Sequence, residues 1–233
     1  MREPEVAPID PVERARKRRR AALVATGCVA VLGAAAAAAP FTPLMPVRNI
    51  AVEGNHALSE EYVHELAAIA PDTPMGRVDV RRTAQNIAAD PWVETVTVSR
   101  DWPGSVQVEL TEHVAVAYVA KADGTHLIDS NGVDFLTAEP PPEAIELVNA
   151  PLEDAEAMAG VVAIAASISE KARHDVAAIE VEPRNNVLRT HDGRTIVWGA
   201  SEDNQNKSYA LETVLQLEGT EFNITNPQLV TSR

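Results

Sequence analysis

Hydrophobic positions follow three different patterns along this chain, and each pattern predicts a different kind of structure. Residues 21–39 form an unbroken run without a charge, which is typical of a membrane-spanning helix. Residues 47–115 combine alternating segments with helical spacing, and residues 116–226 consist mainly of alternating segments separated by short turns. The chain is therefore predicted to be an α+β protein with one N-terminal transmembrane helix and two further domains.

The uncharged run Ala21–Ala39 directly follows a basic block, Arg14–Arg20. A helix that rises about 1.5 Å per residue covers roughly the 30 Å hydrocarbon core of a bilayer over this run. Ten of its nineteen residues are alanine, so the span is only marginally apolar and depends on its flanks. Because Lys and Arg stay on the cytoplasmic side, residues 1–20 are predicted to be a cytoplasmic tail, and the chain from Pro40 onward is predicted to lie outside the cell membrane.

Two other interpretations of this run remain open at the level of sequence. A cleaved signal peptide also begins with basic residues, but its apolar segment is usually about 7–15 residues long. A lipoprotein would be cleaved and acylated at Cys28, which leaves a very short apolar segment before the cysteine. The length of the run and its long basic flank favour an uncleaved anchor.

The pattern after the span predicts a strand, two helices and two strands. Ile50 and Val52 alternate with polar or small neighbours, as in a strand. Ser59 and Asp79 are typical N-cap residues, and each precedes a segment with apolar residues at helical spacing. Two alternating segments follow, joined by a turn that contains proline and glycine. The β-α-α-β-β order predicts a small α+β domain over residues 47–115.

The rest of the chain is predicted to consist mainly of strands joined by hairpin turns. Asp123-Gly124 and Asn131-Gly132 suit two-residue hairpin loops. Two amphipathic segments predict helices over roughly Glu153–Lys171 and Asn206–Glu218. A last strand is predicted at Glu221–Thr225. These patterns indicate a second, mainly antiparallel β domain with flanking helices.

Together the patterns divide the chain into six predicted segments. They are a cytoplasmic tail (1–20), a transmembrane helix (21–39), a linker (40–46), the small α+β domain (47–115), the β domain (116–226) and a C-terminal tail (227–233).

Charge is distributed unevenly between these segments. The net charge of −14 divides into +3 for residues 1–20, with seven basic and four acidic side chains, and −17 for the rest, with thirteen basic and thirty acidic side chains. An acidic exterior argues against nucleic acid as a ligand and against docking on anionic lipid. Cys28 is the one cysteine and lies in the apolar run, so no disulfide is expected in the exported domains.

The sequence lacks the common catalytic and metal-binding motifs. It contains no Gly-x-Ser-x-Gly, no His-Glu-x-x-His and no phosphate-binding loop. Glu60 and His64 stand one helical turn apart, but a zinc site needs three or four ligands. We therefore predict no enzyme activity, no cofactor, no metal and no small-molecule substrate. The alternative is a membrane-anchored cell-wall hydrolase or sensor, which would require a carboxylate pair or three metal ligands in a cleft.

Several short motifs resemble those of one protein family. Ile50–Asn55 resembles the first strand and turn of a POTRA (polypeptide-transport-associated) domain. Arg100–Pro103 and Val108–Glu112 resemble the end of the POTRA domain in the bacterial cell-division proteins FtsQ, called DivIB in some lineages. Leu127–Val133 is similar to a hairpin of that family's β domain. In their order and spacing, the motifs cover essentially the whole chain.

This resemblance implies both a function and a binding site. FtsQ-like proteins are non-enzymatic scaffolds with one membrane span, and they link FtsB- and FtsL-type division proteins at the septum. Their partners bind the β domain near its last strand. In this chain the corresponding positions are Phe222, Asn223, Ile224 and Thr225, with Trp198 and Lys207 as neighbouring candidates. The alternation along the strand fits core positions for Phe222 and Ile224 equally well, and a tryptophan is more often core than surface.

The chain departs from the family pattern at two places. Glu112-His113-Val114-Ala115 stands where the family usually has Glu-Arg-x-Pro, which predicts a less rigid connection between the two exported domains. Asn223 stands where the family often has aspartate, so the charge that a family partner would meet there is missing.

Overall fold

The computed structural model describes residues 11–183 and 185–232, so the first half of the predicted cytoplasmic tail lies outside the described residues. Helix α1, Pro11–Ala38, contains nearly all of the predicted membrane span, and a short 3-10 helix, Ala39–Phe41, follows it. The stretch Arg18–Phe41 is long and apolar enough to cross a membrane, and its most apolar 18 residues have a mean hydropathy of 2.1. Its apolar side chains are exposed, as contact with lipid requires.

The chain forms two compact units. One unit takes up the chain to Ala88 together with Val96–Leu110. The other takes up Ala89–Thr95 together with the chain from Thr111 onward. The boundary between residues 115 and 116 remains a prediction.

The first unit is built on the five elements predicted for the small α+β domain, in the predicted order. These are β1 (Asn49–Glu53), α2 (Glu60–Ala67), α3 (Val80–Ile87), β2 (Val93–Asp101) and β3 (Ser105–Glu112). The strands lie in the order β1-β3-β2, and β1 runs parallel to β3. Val63 of α2, Ile87 of α3 and Val106 of β3 are fully buried, so the two helices and the sheet share a core.

Both helices of this unit begin at the predicted N-cap residues. Ser59 Oγ accepts a hydrogen bond from the backbone N–H of Tyr62 at 3.2 Å, and Asp79 Oδ1 accepts one from Arg82 at 3.1 Å. Each bond satisfies one of the N–H groups that the start of a helix leaves unpaired. Helix α2 ends at Ala67, because Ala68 adopts a left-handed conformation with a φ of 51°.

Among the described residues of the second unit, nine strands form one sheet. They are β4 (Ala115–Lys121), β5 (Gly124–Asp129), β6 (Asp134–Thr137), β7 (Ile145–Val148), β8 (Val176–Val181), β9 (Asn186–Thr190), β10 (Thr195–Gly199), β11 (Glu221–Asn223) and β12 (Thr231–Ser232). Their order across the sheet is β12-β11-β10-β9-β8-β7-β4-β5-β6. The pairs β4–β7, β7–β8 and β10–β11 are parallel, and the others are antiparallel. The predicted α+β fold with a mainly antiparallel second sheet is thus confirmed.

Three helices complete the second unit: α4 (Ala155–Ser167), α5 (Glu170–Arg173) and α6 (Asn204–Val214). Helix α4 contacts α6 and the strands β4 and β8. A single hydrophobic cluster joins these helices to the sheet, and Trp198 and Phe222 are its largest side chains. Apart from these two, the cluster consists of valine, isoleucine, leucine, alanine and one methionine, as the low aromatic content predicts.

The sequence predicts one helix over Glu153–Lys171, whereas the structure divides this stretch into α4 and α5. Ile168 adopts an extended conformation, and Ser169 caps α5. Arg173 donates hydrogen bonds to the carbonyls of Ala165 at 2.8 Å and Ile168 at 3.3 Å. The guanidinium thus donates to carbonyl groups near the end of α4 that would accept backbone hydrogen bonds if the helix continued. Hydrophobic periodicity cannot reveal such a contact.

Candidate partner-binding edge of the sheet

The predicted site residues lie in one continuous piece of the second unit, formed by β10, α6, β11 and the two residues that follow. β10 and β11 run parallel, with Ile196 opposite Phe222 and Val197 opposite Asn223. Helix α6 lies between them in sequence, because parallel neighbours need a crossover connection. Only the two-residue strand β12 lies beyond β11, so the site is at one edge of the sheet.

β11 and the residues after it alternate between core and solvent. Phe222 and Ile224 are 2 % and 0 % exposed, whereas Asn223 and Thr225 are exposed. The Ile224 N–H donates to the carbonyl of Val197 at 2.9 Å, so bonding to β10 continues past the end of β11. Asn223 Oδ1 accepts a hydrogen bond from the Thr225 N–H at 3.0 Å. Of the four predicted positions in this strand, Asn223 and Thr225 are accessible, and Phe222 and Ile224 lie in the core.

Trp198 and Lys207 are also buried. The indole N–H of Trp198 donates to Asn204 Oδ1 at 3.0 Å, at the start of α6. Lys207 Nζ donates to the carbonyl of Ala200 at 2.8 Å. Burial lowers the pKa of the Lys207 ammonium group, although acidic neighbours, Glu202 among them, act in the opposite direction. Both side chains therefore hold α6 against the end of β10 rather than lying at the surface.

β10 ends at Gly199, which was not among the predicted site residues. Its φ of +83° lies in the left-handed region, and a Cβ at this position would lie 2.9 Å from Thr225 Cγ2. The Gly199 carbonyl accepts a hydrogen bond from Asn186 Nδ2 at 2.8 Å. Gly199 thus lets Thr225 pack directly against the backbone. A glycine at the end of a strand pattern is the sequence signal for such a close approach.

The exposed groups at this edge are hydrogen-bonding groups. Asn223 and Thr225 supply an amide and a hydroxyl, and the adjoining backbone is at the margin of the sheet. Within residues 11–183 and 185–232, no group of three or more His, Cys, Asp or Glu side chains is placed to hold a metal ion. This strand lies near a sheet edge, with buried side chains on one face and polar side chains on the other. Such a strand suits hydrogen bonding to an extended chain.

The fold and this edge define a class of protein: a POTRA domain and a β domain that follow an N-terminal apolar helix. Residues 45–113 match the family model of the FtsQ-type POTRA domain. The chain is 35 % identical over 209 residues to Cell division protein FtsQ of Corynebacterium glutamicum, which covers 88 % of this chain and 93 % of that relative. It is 34 % identical over 201 residues to Cell division protein FtsQ of Mycolicibacterium smegmatis, covering 82 % of this chain and 58 % of the relative. The chain belongs to the FtsQ family of bacterial cell-division proteins.

This assignment confirms the resemblance inferred from the short motifs. A solved structure, the major extracytoplasmic domain of DivIB from Geobacillus stearothermophilus, is 18 % identical with a TM-score of 0.34 and covers 44 % of this chain and 87 % of that chain. At this TM-score the likeness adds nothing to the family assignment.

Proposed function

We propose that this chain is a non-enzymatic scaffold of the division machinery, anchored by one transmembrane helix, that binds FtsB- and FtsL-type single-span division proteins at the septum. Membership of the FtsQ family supports a role in division. The apolar helix supports the anchor, and the basic block before it supports an orientation with residues 1–20 in the cytoplasm and the two exported domains outside.

The observation that carries the binding proposal is the alternation at β11. Its buried side chains fix the strand in the core, so the edge is already ordered before a partner arrives. The two exposed side chains are small and polar, and on the side away from β10 the strand pairs with β12, the outermost described strand of this edge. In this proposal the partner contacts Asn223 and Thr225, while Phe222, Ile224, Trp198 and Lys207 hold the edge in position.

The opposite edge of the sheet is less suited to an added strand. There, Asp134 of β6 is 3.0 Å from Lys121 Nζ and 2.8 Å from His126 Nδ1. Charged side chains on an edge strand are a common protection against pairing with another chain. β11 itself carries one exposed charged residue, Glu221, so the two edges differ in the ion-paired cluster at β6 and not in charge alone.

Titration of the full chain in lipid nanodiscs with the extracytoplasmic segment of an FtsB-like protein tests this proposal. Asn223→Lys and Thr225→Lys place a charge at exposed positions, so we expect binding to weaken by about tenfold or more while the fold is retained. Thr137→Lys is the matched control, because it adds the same charge to β6 at the opposite edge. Equal losses in all three variants, or no loss in any of them, would contradict binding at β11.

A further inference from the structure

The end of the apolar helix is held against the turn that precedes α3. The short 3-10 helix Ala39–Phe41 contacts a second one, Met75–Arg77, and both belong to the first unit. A Cβ at Gly76 would lie 2.8 Å from Phe41 Cδ1 and 2.9 Å from the carbonyl oxygen of Pro40, so the absence of a side chain permits this close contact. Residues 75–77 therefore lie next to the end of the predicted membrane span, although more than thirty positions separate them from it in sequence.

Backbone hydrogen bonds connect the chain after the span to the same turn. The N–H of Met75 donates to the carbonyl of Met45 at 2.9 Å. Two positions further on, the N–H of Val47 donates to the carbonyl of Thr73 at 2.8 Å. The headgroup layer extends about 5–8 Å beyond each side of the hydrocarbon core, so side chains near this turn are expected at the depth of the lipid headgroups.

Three exposed arginines lie at this turn and in the first turn of α3, and together they form the arginine surface: Arg77, Arg81 and Arg82. Residues 47–115 contain five basic and eleven acidic side chains, so three of the five basic ones lie within six positions. In the part of the chain that the structure describes, none of the three forms an ion pair with a carboxylate. The acidic average of the exported chain, which argues against docking on anionic lipid, therefore conceals a local basic surface.

Two acidic side chains lie close to the arginine surface in sequence. Asp79 caps α3, and its Oδ1 accepts a hydrogen bond from the backbone N–H of Arg82 at 3.1 Å. Asp72 is exposed in the loop before the turn. The exposed Glu60 and Glu61 lie at the start of α2, roughly 10 Å along the helix from its other end. With three arginines against two aspartates, residues 72–82 keep a net charge of +1, whereas residues 47–115 as a whole carry −6.

Arg77 and Arg82 border one cavity of about 340 Å³. The end of α2 and the loop after it supply mainly apolar residues to its lining, and Asn86 of α3 adds an amide. Guanidinium groups bind phosphate through paired hydrogen bonds, so two arginines at one cavity suit a phosphate group. Arg81, exposed in the same helical turn as Arg82, adds a third positive charge.

Apolar side chains at the end of the span are also exposed. Phe41 is 52 % exposed and Leu44 is 78 % exposed. Such side chains beside arginines are typical of surfaces in the membrane interface, where apolar groups enter the acyl boundary and basic groups meet the headgroups. The arginine surface and these side chains therefore fit the same partner, a lipid surface.

We propose that the arginine surface binds the phosphate groups of anionic lipids and holds the first unit on the membrane surface at which the span ends. The helix that anchors the chain keeps the arginines close to the bilayer, which raises the effective concentration of headgroups around them. The inference goes beyond the proposed function, because it concerns the first unit and involves no partner protein. The two share only the membrane anchor.

The expected strength of binding follows from the number of arginines. Each basic side chain at an anionic membrane surface favours the bound position by about fivefold, so three together contribute about a hundredfold. This attraction decays within the Debye length, which is about 10 Å at 0.1 M salt and about 3 Å at 1 M. Binding to anionic headgroups should therefore weaken as the salt concentration rises.

The test measures how close α3 lies to the headgroups in the full chain. A fluorophore is attached at Gln85→Cys, an exposed position on α3, in a chain that also carries Cys28→Ser. The chain is placed in nanodiscs of phosphatidylcholine, with or without phosphatidylglycerol, and both kinds contain a lipid with a nitroxide quencher on its headgroup. We expect stronger quenching with phosphatidylglycerol, and a loss of that difference at about 1 M salt. Equal quenching in the two kinds of nanodisc would overturn the proposal.

Variants assign the effect to the arginine surface. Changing its three arginines to glutamine should shift the equilibrium away from the headgroups by about a hundredfold and remove the extra quenching with phosphatidylglycerol. Changing them to lysine keeps the charge and should retain most of that quenching, which a loss of folding would not. The matched control removes the same charge from the second unit, by changing to glutamine Lys121, Lys171 and Arg189. The proposal is wrong if the control or the lysine variant loses as much quenching as the glutamine variant.

Two further measurements distinguish the lipid from other ligands of similar chemistry and from the proposed partner. Tight binding of inorganic phosphate that the glutamine variant loses, without any effect of phosphatidylglycerol, would make this a site for a soluble anion and overturn headgroup binding. Loss of an FtsB-like segment by the glutamine variant, again without a lipid effect, would assign the arginines to a protein partner, which also overturns it. If the lipid effect is observed but no form binds an FtsB-like segment, the headgroup-binding surface stands and the proposed partner is wrong.

Discussion

At the scale of single residues, Arg194 connects the turn between β9 and β10 with the end of α6. Its Nη1 donates to the carbonyls of Val214 at 3.3 Å and Leu215 at 3.2 Å, and its Nη2 lies 2.7 Å from Asp192 Oδ2. Hydrogen bonds from Arg194 and Thr190 lower the pKa of the Asp192 carboxyl to about 2. Since a guanidinium donor satisfies carbonyls that a helix end leaves unpaired, Arg194 fixes α6 behind the candidate site.

Replacement of this side chain tests that role. Arg194→Met keeps an apolar stem but removes the donors, so we expect the free energy of unfolding to fall by about 2–3 kcal/mol. The measurement is equilibrium urea unfolding in detergent, followed by the tryptophan fluorescence of the chain, to which the buried Trp198 contributes. Arg189→Met is the matched control, because Arg189 pairs with Glu180 at a position where both side chains are substantially exposed. We expect that variant to lose less than about 1 kcal/mol.

Measuring the stability of the unmodified chain and of Arg194→Met at several pH values separates two contributions of Arg194: its ion pair with Asp192 and its hydrogen bonds to the carbonyls of α6. The folded pKa of Asp192, about 2, lies below its ordinary value of 3.8, so the pair contributes stability above about pH 4 that is lost as the pH falls toward 2. The difference in the free energy of unfolding between the unmodified chain and Arg194→Met should therefore decrease over that interval. The remaining difference should be the contribution of the hydrogen bonds to the carbonyls of α6. Equal losses for Arg194→Met and Arg189→Met at pH 7 would show that Arg194 does not cap α6.

At the scale of secondary-structure elements, local signals predicted much of the fold. Ser59 and Asp79 mark helix starts because an N-cap bond is made within the first turn, where sequence neighbours decide it. The division between α4 and α5 and the pairing of β12 depend on partners elsewhere in the chain, such as the Arg173 guanidinium and the β11 edge. Hydrophobic spacing carries no information about such contacts.

At the candidate site, too, the local sequence predicted the strand, whereas the burial of its side chains depends on tertiary contacts. Alternation along Glu221–Thr225 predicted a strand, but it left open which face of that strand is buried. The core positions of Phe222 and Ile224 depend on the parallel pairing with β10, and both side chains belong to the hydrophobic cluster that also contains residues of α6. Likewise, His113 is noticeable in sequence only as a departure from the family pattern, yet its Nδ1 lies 2.8 Å from Asp129 Oδ2 within the second unit.

The packing of Thr225 against β10 can be tested by comparing alanine substitutions at two glycines, Gly199 and Gly193. Gly199 and Gly193 have similar backbone conformations, with φ of +83° and +88°, but a Cβ at Gly193 would meet nothing within 4 Å. Gly193→Ala should therefore show the backbone effect alone, about 1–2 kcal/mol. Gly199→Ala adds contact with Thr225, so we expect a loss greater by about 1 kcal/mol or more in the same urea experiment. Removing that contact with Thr225→Ala in the Gly199→Ala background should recover the excess, and a failure to recover it would show that the strain lies elsewhere.

At the scale of the whole molecule, charge differs between the two sides of the predicted membrane span. The apolar run is rich in alanine, and the predicted cytoplasmic tail carries +3 against −17 for the rest of the chain. Alanine contributes little to insertion, so the basic flank carries much of the information about orientation. The proposed binding edge at β11 would reach extracytoplasmic partners only if the second unit is exported, which makes the proposed function depend on residues far from the site in sequence.

Residues 16–20 are all basic, and replacing them tests whether the orientation of the chain depends on the basic block. Changing all five to glutamine leaves two basic and four acidic residues in the tail, so its net charge falls from +3 to −2. Because Lys and Arg within about 15–20 residues of a span determine its orientation, we expect a large inverted fraction, measured as protection of the exported domains from protease added outside spheroplasts. Replacement of Arg77, Arg81 and Arg82 by glutamine is the control, since these residues lie more than thirty positions beyond Phe41, the end of the apolar helix, and should leave orientation unchanged. An unchanged orientation in the five-residue variant would mean that the acidic exported domains or the translocation machinery set the topology, and the basic block would then have no topogenic role.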